Sequence, residues 1–142
     1  IMLLQISFSA KAQVLSPFKK SVLNIESSGK KYSFNVEIAQ DSKQHAMGLM
    51  YRRTLAPDAG MLFDYHQSQR ISMWMKNTFI PLDMLFIAAD GRIVNIVQRT
   101  IPHSETVISS QGKVKAVLEI NGGTAERLGI KPGDYVRHAI FR

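Results

Sequence analysis

The chain of 142 residues contains no cysteine. That excludes disulfides, thiolate metal sites, a cysteine nucleophile and attachment of lipid to a cysteine. Histidine is scarce, and His45, His66, His103 and His138 lack the H-x-x-x-H and H-E-x-x-H spacings of metal centres, so no metal ligands are expected. Ser104 lies between His103 and Glu105, but adjacent residues of one loop rarely converge as a triad, and no G-x-S-x-G elbow exists. Phosphate-cradling glycine patterns are missing too, so no cofactor is expected. No apolar run reaches the roughly 20 residues of a transmembrane helix, and no transmembrane segment is expected.

Charge of one sign predominates without being concentrated. Lys and Arg number 18 against 11 Asp and Glu, a formal charge of +7, which becomes +6 without residues 1–12, whose one charge is Lys11. The basic residues fall in pairs (Lys19 with Lys20, Lys30 with Lys31, Arg52 with Arg53) and singles, with no run of five. Nucleic-acid binding needs a denser patch or a recognisable module, and is not expected. A net positive charge is compatible with weak attraction to cell-envelope components.

The N-terminus suggests a destination. Ile1–Ala10 is mostly apolar, and Ala10-Lys11-Ala12 has the small-x-small form of a signal-peptidase site. Residues 1–12 are expected to be a signal-peptide remnant cleaved near Ala12, residues 13–17 a flexible leader, and residues 18–142 one domain, placed in the periplasm or secreted. At 45% hydrophobic and 20% charged, the composition is that of an ordinary globular core.

Alternation predicts a half-buried strand over 31–39, with Tyr32, Phe34, Val36 and Ile38 on one face. Asp41 and Gln44 have capping-box spacing, and a short helix is expected over 42–50. Strands are expected over 60–65 and 71–75. Leu82–Ala89 and Arg92–Arg99 flank Asp90-Gly91, a two-residue hairpin signal that would set Asp83 opposite Gln98. Over 114–120, Val114, Ala116, Leu118 and Ile120 should point inward and Lys115 and Glu119 the other way. Thr124 is expected to cap a helix over 125–128, Gly129 to end it, and a last strand to run over 135–141. The sum is an α+β fold, mainly antiparallel: a small curled sheet or barrel of about seven or eight short strands with two short helices.

Trp74-Met75-Lys76-Asn77-Thr78 followed by Pro81-Leu82-Asp83 resembles the signature of the DUF192 (UPF0127) family. Supporting matches are Gly48-Leu49-Met50 with Arg52 and Leu55, Gly60-Met61-Leu62-Phe63, Phe86 with Asp90-Gly91, Val117-Leu118-Glu119, Gly123-Thr124-Ala125, and Leu128-Gly129-Ile130 running into Lys131-Pro132-Gly133-Asp134. The resemblance covers residues 33–137. It implies a mostly exported family with a compact α+β or barrel-like fold, and supplies no catalytic residues. Many relatives carry cysteines and a tyrosine in the loop matching Pro102–Gln111, which this chain does not, so no redox or metal role follows for it.

Trp74–Asp83 is the densest polar and aromatic stretch. Trp74 would stack on a ligand, Lys76 hold a small polar or anionic one, and Asn77 and Asp83 turn into the same cleft, with Arg52 and Glu119 as neighbours. The plainer alternative makes Trp74 core, has Asn77 and Thr78 satisfy their own turn, and pairs Lys76 with Asp83. The leading expectation is an extracytoplasmic binding or accessory module for such a ligand or a partner segment. The alternatives are a small glycan or cell-wall hydrolase using Asp83 and Glu119 as paired carboxylates, and a purely structural or interaction protein. The methionines Met47, Met50, Met61, Met73, Met75 and Met84 invite a soft-metal site, but their spacing favours core filling.

Overall fold

A computed structural model describes residues 17–142; the expected signal remnant and most of the leader lie outside them. In chain order the elements are β1 (Lys19–Ser27), β2 (Lys30–Ala39), α1 (Ser42–Met47), β3 (Ala59–Gln69), β4 (Ser72–Met73), β5 (Leu82–Ile87), β6 (Ile93–Val97), β7 (Ile108–Ser109), β8 (Val114–Asn121), α2 (Thr124–Leu128) and β9 (Tyr135–Arg137). Seven strands form one sheet in the order β6-β5-β8-β3-β2-β1-β9, and β4 pairs with β7 apart from it. All pairings are antiparallel except β2 with β3.

The sheet curls until its edges meet. Arg92 bridges Tyr135, Ile93 N–H donates to Asp134 O at 2.8 Å, and Val136 N–H donates to Gly91 O at 2.7 Å. Leu23, Phe34, Leu62, Leu85, Leu118 and Val136, from strands spread along the whole sheet, therefore share one cluster inside the curl. A second cluster, with Met61, Phe63, Met84, Phe86 and Val117, lies on the outer face of β3, β5 and β8. Each fully buried ring contributes about 2–3 kcal/mol. Both faces of the central strands are thus covered, which is why β5 is buried throughout and apolar at every position but Asp83.

Several local expectations are modified. Asp41 caps α1, accepting from Gln44 N–H at 2.8 Å, and the Gln44 carbonyl oxygen of the side chain accepts from Gln40 N–H. The helix stops at Met47 because Gly48, at φ 48°, turns the chain. In the hairpin, Ala88 N–H donates to Arg92 O, giving a three-residue loop instead of two. An irregularity between Phe86 and Ile87 offsets the change, so Met84 faces Val97 and the register continues toward Asp83 opposite Gln98. Val114 belongs to the outer cluster and not with Ala116, following the bulge between Asp64 and Gln69. The last strand ends at Arg137. β1 has no counterpart in the sequence reading: Leu23 and Ile25 are buried, but the apolar Val22 just before them is 57% exposed and blurs the alternation.

Candidate functional site

Asp83 is completely buried on β5, and its carboxylate is fully engaged. One oxygen accepts from Arg99 N–H at 3.0 Å and Gly123 N–H at 3.1 Å, and the other from Ala125 N–H at 2.9 Å. The N-cap position of α2 is Gly123, with no side-chain bond of its own, so Thr124 does not cap the helix. Asp83 supplies that acceptor from a different strand.

The register also separates the two expected carboxylates. Asp83 pairs with Ile120, whereas Met84 pairs with Glu119. Successive residues of a strand point to opposite faces. Asp83 thus faces α2, while Glu119 faces the outer cluster, and the structure does not bring them together as an acid–base pair.

Residues 74–81 form a turn held from three sides. Met75 N–H donates to Ser104 O at 2.9 Å, His103 N–H to Thr78 O at 3.1 Å, and Tyr51 N–H to Asn77 O at 2.9 Å. Asn77 (φ 52°) and Tyr51 (φ 67°) both adopt the left-handed region and are joined again by Asn77 Nδ2–H donating to Tyr51 Oη at 3.0 Å. Asn tolerates this conformation, whereas a tyrosine is held in it by its surroundings. Lys76 lies 5.1 Å from the Trp74 ring centre and 4.0 Å from Glu105, so its partner is not Asp83. Arg52 makes a two-pronged pair with Glu37, whose carboxyl is held below its ordinary pKa by the guanidinium's hydrogen bonds. Asn77 and Arg52 are therefore committed to neighbours outside the cleft described next, and Lys76 to Glu105 and to the ring of Trp74, which lines it.

That cleft, of about 260 Å³, lies between α1 with its following turn and the β3–β4 region. Trp74 and Glu119 line it, joined by residues the sequence reading did not select: His45, Met47, Met50, Tyr65, Met73 and Thr78. Glu119 is 4% exposed, and its pKa is pushed up to about 8 by burial. Among the described residues no hydrogen bond or ion pair reaches its carboxyl, and no buried polar atom is left stranded away from both partner and solvent. The carboxyl therefore meets the cleft. Its placement follows from β8 being covered on both faces, against the expectation that Glu119 would share a wet face with Lys115.

Tyr65 donates through Oη to Met73 Sδ at 3.3 Å, and its pKa is raised to about 12 by burial and then by the Glu119 charge. The His45 ring lies 4.3 Å from that of Tyr65, with Nε2 2.9 Å from Ala39 O. That contact assigns the proton to Nε2 when the ring is neutral. The methionines divide: Met61, Met75 and Met84 fill the core, while Met47, Met50 and Met73 wall the cleft. The exposed large hydrophobics other than Val22, namely Met47, Tyr51, Trp74, Phe79, Ile101 and Val107, lie in the cleft wall or in segments bonded to it. No group of three or more His, Asp or Glu side chains among the described residues has metal-binding geometry.

A solved structure from Sinorhizobium meliloti, described as a candidate transcription regulator, is 46% identical, with a TM-score of 0.86 over 89% of this chain and 99% of its own. A protein of unknown function from Novosphingobium aromaticivorans is 39% identical, with a TM-score of 0.83 over 91% of this chain and 94% of its own. No curated protein matches. Residues 23–138, which include the Trp74–Asp83 signature and every strand that builds the cleft, match DUF192, described as an uncharacterized ACR, and the chain belongs to that family.

Proposed function

We propose that the protein is an extracytoplasmic binding module that takes a small polar ligand into the cleft floored by Glu119. The observation that carries this is the buried, unpartnered carboxyl at the base of an open recess of mixed polar and apolar lining, because a solitary buried ionisable group costs stability that a purely structural protein gains nothing by keeping. A recess of about 260 Å³ fits a molecule of modest size. Export rests on the Ala10-Lys11-Ala12 pattern and is checked by fractionating cells that make the full protein; retention in the cytoplasm would end it.

A thermal-shift screen tests the cleft, since a ligand that prefers the native state raises its apparent stability. Hits should also change the fluorescence of Trp74, the single tryptophan, and should be lost in Ala46→Phe, which fills the cleft from α1. Hits unaffected by that substitution would sink this reading.

The apolar rim favours a second reading, in which this face docks on a cell-envelope component. Pull-down on isolated envelopes, weakened by Ile101→Ser while the small-ligand shift persists, would single it out. Nucleic-acid binding, raised by the description of the Sinorhizobium relative, has less support: α1 and α2 span 6 and 5 residues, short for groove recognition, and the basic residues are dispersed.

A further inference from the structure

We infer that the cleft selects an organic cation, an ammonium carried on a small apolar body, with Glu119 as its counter-ion. The inference rests on the cleft being a ligand site and names its chemistry. Among the lining residues are no Lys or Arg, so an anion would meet a carboxyl and no compensating charge. Lys76, the expected anion holder, instead lies over Trp74 and beside Glu105. Phe63 and Tyr65 present aromatic surface to the cleft, and ring faces attract cations, while Trp74, which already has the Lys76 ammonium over its ring, adds apolar wall. The thioethers of Met47, Met50 and Met73 suit the apolar body, since they adapt their shape and carry no charge.

An ammonium arriving beside Glu119 favours its ionised form, so binding near neutral pH releases a proton from the carboxyl. The titratable groups sharing the cleft are Tyr65 on β3, which stays neutral, and His45 on α1. Neither β4 nor the Met84 position of β5 adds another. Ionisation of Glu119 favours the cation, so affinity rises with pH.

The test uses the whole chain and Trp74 fluorescence, with 2-phenylethylammonium, 2-phenylethanol and phenylacetate as matched probes. The ammonium should bind with a Kd of about 1 mM or tighter and at least about tenfold better than the alcohol at pH 8.5. Between pH 6 and 8 its affinity should climb up to about tenfold per unit, and calorimetry in buffers of different ionisation heat should register proton release. Glu119→Gln, checked for an unchanged fold by circular dichroism, should lose the preference over the alcohol while still binding the alcohol. Equal binding of all three probes, or preference for phenylacetate, would overturn the cation assignment and leave the cleft reading intact. No response to any probe, together with no hit in the broader screen, would overturn both.

Discussion

Replacing Glu119 by Gln keeps the shape of the side chain and removes its charge, and the effect on stability can be worked from its burial. The carboxyl titrates at about 8 in the folded chain against an ordinary 4.5. A folded-state pKa above the unfolded one means that the unfolded chain ionises first as pH rises. The native state is therefore favoured fully below pH 4.5 and loses that advantage progressively up to pH 8. At about 1.4 kcal/mol per unit, the loss is about 3 kcal/mol at pH 7 and about 5 kcal/mol at the plateau, upper values because the carboxyl borders an open cleft. Glutamine is spared this loss. Urea unfolding of both proteins from pH 4 to 9 should give a stability gap near its minimum at pH 4, widening in favour of Glu119→Gln by up to about 3 kcal/mol at pH 7 and levelling above pH 8. Other titrating groups are common to both proteins and drop out of the gap. A gap that stays constant from pH 4 to 9 would refute the reasoning, since it would mean that Glu119 ionises in the fold as it does in the open chain.

Asp83→Ala leaves three backbone donors, one buried and two partly so, without their acceptor and should cost about 3 kcal/mol, measured by chemical denaturation; a loss below 1 kcal/mol would deny it the capping role. Gly60→Ala should destabilise by at least about 2 kcal/mol, because a Cβ there would stand 2.6 Å from Glu119 O on β8. Arg52→Ala should cost only about 1 kcal/mol, since the Glu37 pair is partly exposed, and the cost should shrink in high salt. His138, whose pKa burial lowers and whose Nε2 lies 2.8 Å from Ser21 Oγ, should contribute stability that fades as pH falls below its ordinary 6.5. His138→Gln should abolish that part of the acid sensitivity; an identical acid profile would contradict it.

The parts of the fold that were legible in the sequence are those whose causes are local. Asp41 and Gln44 sit within one turn and cap α1 as their spacing implied. Asp90-Gly91 marks its hairpin, although the loop and the bulge differ from the simplest pairing. What escaped depends on partners distant in the chain. Asp83 caps a helix that begins some 40 residues later, so no motif around Thr124 could disclose it. Glu119 lies on an alternating strand whose second face looked polar, and it becomes buried only because α1 and the 72–78 segment fold over that face. Trp74 lines the recess, whereas Lys76 and Asn77 close to it in sequence are turned toward Glu105 and Tyr51, contacts that no local pattern announces. The cleft-facing methionines were visible as a group, but the three that form its wall separate from the three in the core only through the pairing register of β3, β5 and β8.

The most direct test is a carbon-13 NMR titration of the Glu119 side-chain carboxyl in the intact protein, assigned by comparison with Glu119→Gln. A midpoint near 8, moving downward when an ammonium ligand is added, is the predicted result. A midpoint near 4.5, indifferent to the ligand, would contradict it.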